Sequence, residues 1–177
     1  MINAENLTKS FGDLIILEKV GFMLNPRERV GLVGRNGHGK TTLFRIITGE
    51  EPYDSGTLAV PKQYRIGHVR QSIQFTEKTI LEEGMKGLPE SEREASWQVE
   101  KILDGLGFSK EDLQRHPAEF SGGFQVRLNF AKVLASKPDL LLLDEPTNYL
   151  DITSIRWVER FLNNWPRELI LITHDRS

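Results

Sequence analysis

The stretch GRNGHGKTT, residues 34–42, constrains the fold of this chain more than any other. It matches the pattern G-x-x-x-x-G-K-[ST], with Gly34, Gly39, Lys40 and Thr41 in the required places. The apolar segment RVGLVG leads into it, and KTTLFRIITGE continues from it with the apolar spacing of a helix. A glycine-rich loop between a strand and a helix is the context in which this pattern binds phosphate. The sequence therefore predicts a nucleotide-binding loop.

Each residue type in the loop has a chemical reason. The glycines let backbone N–H groups close around phosphate oxygens, and the Lys40 ammonium group places a positive charge on the β- and γ-phosphates. The Thr41 hydroxyl is placed to ligate Mg²⁺, and Thr42 adds a phosphate contact. The predicted nucleotide-binding residues of the loop are Gly34, Arg35, Asn36, Gly37, His38, Gly39, Lys40, Thr41 and Thr42.

Two carboxylates follow a leucine-rich segment later in the chain. DLLLLDE, residues 139–145, places Asp144 and Glu145 at the carboxyl end of a buried strand, where open α/β sheets bind their ligands. Asp144 is predicted to hold Mg²⁺, directly or through water. Glu145 is predicted to polarise the attacking water as a general base. With the loop, these residues predict hydrolysis of a nucleoside triphosphate.

Apolar periodicity predicts the α/β class. Strand-like segments cover residues 2–7 and 14–24, RVGLVG, SGTLAV, YRIGHV, DLLLLDE and ELILIT, and helices follow the loop and run from about Asp151 to Trp165. The alternation favours a P-loop NTPase core with a mostly parallel sheet and antiparallel strands at the N-terminus. Two Glu-rich segments, TILEEGMKGL and ESEREASWQVEKILDGLGF, are predicted to be helices. They belong to residues 72–136, which are predicted to form an α-helical subdomain inserted in a single domain of residues 1–177.

Composition narrows the remaining classes of protein. The formal net charge is -2, from 23 Lys plus Arg and 25 Asp plus Glu, so no basic excess indicates nucleic-acid binding, and a nucleic-acid partner would have to be argued from other features. Cysteine is absent, which excludes a disulfide framework and a thiolate metal site. The apolar runs are too short to span a bilayer, and MINAENLTKSFG has no signal-peptide core. We expect a soluble, cytoplasmic protein without an integral membrane segment.

A second glycine turn, in EFSGGFQVRLNF at residues 119–130, opens another amphipathic helix. The order of motifs is the phosphate loop, Gln71 after a strand, the turn Ser121, Gly122 and Gly123, then LLLLDEPTNYLD and LITHD. This order resembles the nucleotide-binding domain of ABC ATPases along the whole chain. The resemblance implies that the Ser-Gly-Gly turn caps the γ-phosphate of ATP held by a second, head-to-tail domain. It also implies ATP and Mg²⁺ as cofactors.

The same resemblance implies roles for four more residues. Phe11 corresponds to the aromatic that stacks on adenine, and Gln71 to the residue that contacts Mg²⁺ and the water. Asp151 corresponds to the aspartate that links the two sites, and His174 to the switch histidine that reaches the γ-phosphate. From the residues alone, Phe11 also suits a core aromatic, and Asp151 is the predicted N-cap of the next helix.

Some positions depart from the pattern of transporters. Phe120 and Phe124 stand where transporters commonly have Leu and Gln, and Asn-Tyr replaces Ser-Ala in DEPTNYLD. SGGFQVR and DEPTNYLD resemble instead the ABC-F class, whose soluble members carry two such domains and mostly act on the ribosome. The interval of 50 residues from Gln71 to Ser121 suits the helical subdomain but not the long charged arm of many ABC-F proteins.

Three functional hypotheses follow. The first is an ATPase half of an ABC-F protein, closed onto a second ABC domain by ATP and acting on the ribosome, with weak hydrolysis in the isolated piece. The second is the ATPase subunit of a membrane transporter. The third is a nucleotide-gated scaffold with negligible turnover, which the presence of Glu145 disfavours. Because the sequence stops directly after ELILITHDRS, we expect a fragment truncated after the switch histidine.

Overall fold

The computed structural model of the protein describes residues 1–34, 37–70, 73–148 and 150–173. They divide into two compact units. The first unit comprises Met1–His68, Asp139–Glu145 and Pro166–Ser177, and it contains the β-sheets. The second unit comprises Val69–Pro138 and Pro146–Trp165 and is helical.

Strands and α-helices alternate along most of the described chain. The strands are β1 (Ile2–Phe11), β2 (Leu14–Leu24), β3 (Arg29–Val33), β4 (Ser55–Ala59), β5 (Ile66–Val69), β6 (Leu140–Asp144) and β7 (Glu168–Thr173). The α-helices are α1 (Lys40–Ile47), α2 (Ile80–Met85), α3 (Ser96–Gly105), α4 (Gly122–Ala135) and α5 (Ile152–Asn164). Short 3₁₀ turns cover Glu90–Glu92, Asp112–Gln114 and Pro117–Glu119.

The first unit contains two sheets. An antiparallel sheet has the order β2-β1-β4, and a second sheet has the order β3-β7-β6-β5, with β7 parallel to both β3 and β6. All five residues of β6 are buried, as expected for a strand covered on both faces. Leu140 and Leu142 of β6 share one hydrophobic cluster with Phe44 of α1 and with Ile2 and Leu7 of β1. This cluster fixes β6 and α1, the two elements that carry the predicted phosphate chemistry.

The second unit is held together by helix contacts and one buried ion pair. The side chain of Glu83 on α2 is fully buried, and its carboxylate accepts a hydrogen bond from Lys132 Nζ of α4 at 2.6 Å. The same carboxylate accepts bonds from the backbone N–H groups of Thr76 and Glu77 at 2.9 and 3.0 Å. Burial would raise the pKa of Glu83, but these hydrogen bonds outweigh it and hold the pKa below its ordinary value. Glu83 therefore ties the segment before α2 to α4.

The structure confirms the predicted α/β class, the parallel sheet and the antiparallel strands near the N-terminus. Two boundaries differ from the sequence predictions. β1 continues to Phe11 rather than ending at residue 7, because its last residues still pair with β2. The helix predicted from ESEREASWQ begins only at Ser96, after a 3₁₀ turn at Glu90–Glu92. In the part of the chain that the structure describes, no helix is long and apolar enough to cross a bilayer.

Candidate functional site

The predicted phosphate loop lies between β3 and α1. Gly39 is the N-cap of α1 and has a φ of 81°, a left-handed conformation that side chains disfavour. A Cβ at this position would lie 2.6 Å from Ile16 Cγ2 and 3.0 Å from the Ile16 carbonyl oxygen of β2. Only glycine fits this conformation and this contact. The first N–H groups of a helix have no partner within the helix, so an N-terminus such as that of α1 suits an anion.

Lys40 lies at the start of α1 and is only 9% exposed. Its Nζ donates a hydrogen bond to the carbonyl oxygen of Gly34 at 2.5 Å. The ammonium group therefore folds back over the loop, on the side where phosphate oxygens would be bound. Buried residues of α1, including Leu43 and Phe44, anchor the helix to the core of the first unit.

Two of the three predicted magnesium ligands, Thr41 and Asp144, are in contact. The exposed Thr41 donates from Oγ1 to Asp144 Oδ2 at 2.9 Å, and Asp144 at the end of β6 is 5% exposed. A hydroxyl and a carboxylate oxygen are hard ligands of the kind that Mg²⁺ takes, usually with substrate phosphates and water completing the shell. Across the described ranges no group of three or more His, Cys, Asp or Glu could hold a metal ion.

Glu145 follows Asp144 and is half-buried. Its φ is 49°, a left-handed backbone conformation that is uncommon for a non-glycine residue. Its backbone N–H donates to the carbonyl oxygen of Ile172 in β7 at 3.2 Å. Strained conformations held in place by neighbouring strands are concentrated at active sites. The strain therefore agrees with a catalytic role for this carboxylate.

Phe11 ends β1 and is 46% exposed. The Nζ of Lys9 lies 4.8 Å from the centre of the Phe11 ring, within the range of a cation–π contact. Lys9 itself is paired with Glu51 at 2.7 Å. This exposure excludes a buried core position for Phe11. It leaves a ring face that a planar base could cover.

The Ser-Gly-Gly turn belongs to the second unit, at the N-terminus of α4. Ser121 is the N-cap, but its exposed side chain forms no capping hydrogen bond. A Cβ on Gly122 would meet nothing within 4 Å, whereas one on Gly123 would lie 1.9 Å from Ser154 Oγ. Two residues of the turn therefore face outward, and the third packs against α5.

Asp151 caps α5, as predicted from the sequence. Its Oδ2 accepts from the N–H groups of Thr153 and Ser154 at 3.0 and 3.1 Å, and its Oδ1 accepts from Ser154 Oγ at 2.7 Å. These hydrogen bonds lower the pKa of Asp151, and the bond from the Ser154 side chain has the largest effect. Ser154 was not predicted from the sequence, although a serine three residues after a capping aspartate is a plausible second capping partner. It joins Asp151 to Gly123.

Arg127 is a second link that the sequence did not predict. Its guanidinium lies 4.6 Å from the Phe124 ring and 5.0 Å from the Trp157 ring, and Nη1 donates to the Leu106 carbonyl at 3.3 Å. Burial lowers the pKa of Arg127, and the charge of Asp151 partly offsets that effect. Arg127 of α4 thus contacts Trp157 of α5 as a second link between the two helices. The predicted site residues Arg35, Asn36, Gln71 and His174 lie outside the described residues.

The comparisons with known proteins agree with this arrangement. A family model described as ABC transporter matches residues 17–148. ABC transporter F family member 5 of Arabidopsis thaliana is 35% identical over 221 residues, covering 99% of this chain and 32% of that protein. A protein named Probable ATP-binding protein YheS in Escherichia coli K12 is 34% identical over 207 residues, covering all of this chain and 32% of its own length. The chain thus spans about a third of these relatives.

Solved structures share the fold. A metal-chelate type ABC transporter in an inward-facing conformation matches with a TM-score of 0.84 and 25% identity, over 97% of this chain and 72% of that one. A bacterial Atm1-family ABC exporter with ATP bound matches with a TM-score of 0.78 and 23% identity, over 98% of this chain and 34% of that one.

Proposed function

The chain belongs to the ABC transporter family, whose ATP-binding domains are ATPases, and we propose that it binds and hydrolyses ATP as one domain of an ABC-F type protein. The observation that carries this proposal is the 2.9 Å contact between Thr41 of the phosphate loop and Asp144 at the end of β6, with Glu145 beside it. Residues 1–177 form, on this proposal, a single ABC domain with an inserted helical segment at 72–136.

The proposed nucleotide position follows from the loop. The N–H groups at the start of α1 surround the β- and γ-phosphates, and Lys40 turns its ammonium group from the Gly34 carbonyl toward the phosphate oxygens. Thr42 and the other loop residues add contacts. Phe11 covers the adenine ring, which its exposed face permits.

The proposed hydrolytic step uses the carboxyl ends of the strands. Thr41 and Asp144 would hold Mg²⁺, which when bound neutralises developing charge on the phosphates. Glu145 takes a proton from the attacking water. Its left-handed backbone conformation differs from that of the β6 residues before it, so the chain changes direction at Glu145. By family resemblance Gln71 contacts the water and the metal ion, and His174 the γ-phosphate.

We propose that Ser121, Gly122 and Gly123 complete the nucleotide site of a second ABC domain. The exposed Ser121 hydroxyl without a capping bond, and the open space over Gly122, support this role because both remain available to a bound phosphate. Asp151, rigidly bonded to Ser154 against Gly123, is then placed to transmit closure between the two sites.

The names of the relatives favour the ABC-F class over transport. Members of sub-family F are prominent among the curated matches, including ATP-binding cassette sub-family F member 3 of Mus musculus at 33% identity. Phe120, Phe124 and DEPTNYLD support the same class. We therefore propose action on the ribosome during translation, in the cytoplasm, with a transporter ATPase subunit as the alternative that the matched solved structures suggest.

The test is Glu145→Gln in the full-length protein. The change keeps side-chain shape and leaves Asp144 in place but removes the general base, so ATP should persist and hold the domains closed. We expect this variant to co-sediment with ribosomes in ATP at a stated salt concentration, more than wild type does. Lys40→Ala, which should bind ATP about 10- to 100-fold more weakly, is the control. Enrichment in membranes with none on ribosomes would favour transport instead.

A further inference from the structure

Each strand of the parallel sheet is preceded by a proline followed by a charged residue. The pairs are Pro26-Arg27 before β3, Pro61-Lys62 before β5, Pro138-Asp139 before β6 and Pro166-Arg167 before β7. Proline fixes φ and so holds each turn in a narrow range of conformations. These turns lie at the amino ends of the strands, whereas Asp144 and the phosphate loop lie at the carboxyl ends. The proposed ATP site does not use them.

All four turns contribute to one cavity in the first unit. Its volume is about 690 Å³, and Arg27, Lys62 and Arg167 border it together with the carboxylates of Asp139 and Glu168. Cations therefore outnumber carboxylates in the lining by three to two. All five side chains come from turns or strand ends that are rigidly attached to the sheet.

Both carboxylates already have donors. Asp139 accepts from Arg167 Nη1 at 3.0 Å and from the Arg65 N–H at 3.0 Å. Glu168 accepts from the backbone N–H of Arg27 at 3.0 Å. By contrast, the side chains of Arg27 and Lys62 have no acidic partner among residues 1–34, 37–70, 73–148 and 150–173. Arg27 and Lys62 therefore add two positive charges beside the Arg167–Asp139 ion pair, and the Glu168 carboxylate adds one negative charge.

Tyr64 adds a neutral donor. Its ring packs against the hydrophobic core, and its hydroxyl is buried without a hydrogen-bond partner in the described chain. Burial, with added effects of Glu168 and Asp139, raises the pKa of Tyr64 to about 12. The phenol therefore keeps its proton. It lies near the Glu168 carboxylate but at no hydrogen-bonding geometry to it, so it can donate to that carboxylate or to another acceptor in the cavity.

The backbone at the cavity is strained at two positions. Arg27 and Gln63 both have a φ of 62° although neither is glycine. Left-handed non-glycine residues are uncommon and persist where surrounding contacts impose them, as the bond from Arg27 N–H to Glu168 does here. Both strained residues line the same space.

We propose that this cavity binds a phosphate group, supplied by the backbone of an RNA strand or by free phosphate or pyrophosphate. Arg27 borders the cavity from the turn before β3, and Lys62 and Tyr64 border it from the turn before β5. A tetrahedral phosphate offers acceptor oxygens in several directions, whereas a carboxylate offers two in one plane. The site is separate from the proposed ATP site, because it lies at the opposite ends of the strands.

The experiment records backbone amide chemical shifts of the full chain during titration with pyrophosphate and, separately, a mixed-sequence single-stranded RNA oligonucleotide. We expect the amides of Gln63, Tyr64 and Arg167 to shift. If these amide chemical shifts change with RNA but not with pyrophosphate at equal concentration, the ligand is a phosphodiester. If they change with pyrophosphate alone, the ligand is a free anion. Shifts confined to Gly39–Thr42, or none with either probe, would overturn the proposal.

The double variant Arg27→Asn, Lys62→Gln removes two positive charges, and asparagine tolerates the left-handed backbone at residue 27. Binding should weaken about tenfold or more. For RNA, the slope of log affinity against log salt concentration should become shallower by about 1.4. The control is Lys101→Gln, Lys110→Gln, which removes two exposed lysines of the second unit. Equal loss in both variants would contradict the proposal. ATP affinity, measured on the same samples, should be unchanged and tests the nucleotide site independently.

Discussion

Substituting Gly123 by alanine tests the contact between the Ser-Gly-Gly turn and α5. The added Cβ would lie 1.9 Å from Ser154 Oγ and 2.9 Å from Ser154 Cβ. Ser154 is only 6% exposed and is bonded to Asp151, so it cannot move aside without breaking that bond. Overpacking of this kind costs about 1–3 kcal/mol, while replacing glycine by alanine gains about 0.4–1 kcal/mol. We expect a net destabilisation of about 1–2 kcal/mol.

Gly122→Ala is the matched control, because a Cβ there would meet nothing within 4 Å. The same chemical change one residue earlier should leave stability unchanged or raise it by up to about 1 kcal/mol. Combining Gly123→Ala with Ser154→Gly removes the clashing atoms, so the cost of the alanine should largely disappear in a double-mutant cycle.

The assay is urea unfolding followed by tryptophan fluorescence. The three tryptophans, Trp97, Trp157 and Trp165, all lie in the second unit and report on its unfolding. With a slope of about 2 kcal/mol/M, the midpoint for Gly123→Ala should fall by about 0.5–1 M. If Gly123→Ala were as stable as Gly122→Ala, the close approach of α4 and α5 would be refuted.

Two further predictions concern charged residues. Lys40→Ala should weaken ATP binding about 10- to 100-fold, the loss of one charge-assisted hydrogen bond; unchanged affinity by calorimetry would remove the loop assignment. Glu83→Gln should lower stability near neutral pH by about 2–3 kcal/mol, because Lys132 loses its partner. Since the pKa of Glu83 is lowered in the fold, its contribution is full above pH 4.5 and is lost as the pH falls through the folded value. The variant and wild type should therefore converge in urea midpoint under acid, and a constant difference across that range would contradict this.

Local patterns in the sequence predicted most of the fold and the phosphate loop. Each of these features depends on residues that are neighbours in the sequence: the buried strand β6, the loop before Lys40 and the N-cap at Asp151. Periodicity and capping rules were therefore sufficient to predict them. The late start of α3 was missed because Glu-rich, polar residues at 90–95 suit helix or turn equally.

Contacts between distant parts of the chain could not be predicted in this way. Gly123 meets Ser154 across 31 positions of sequence, and Glu83 meets Lys132 across 49. The cavity at the amino ends of the strands depends on four turns that only the sheet order brings together. Such pairings depend on how the elements pack, which no local pattern encodes.

The composite nucleotide site is the central claim, and mixing two inactive variants tests it most directly. Lys40→Ala weakens nucleotide binding but keeps the Ser121 turn, and Ser121→Arg blocks the turn but keeps the loop. Each variant alone should hydrolyse ATP far more slowly than wild type at high protein concentration. Where two copies of residues 1–177 pair head to tail, half of the pairs in an equal mixture contain one copy of each variant, and one of the two sites in such a pair is complete. The mixture should therefore recover about a quarter of the wild-type rate. Full activity of Ser121→Arg alone, independent of protein concentration, would contradict the claim that this turn completes a partner's site.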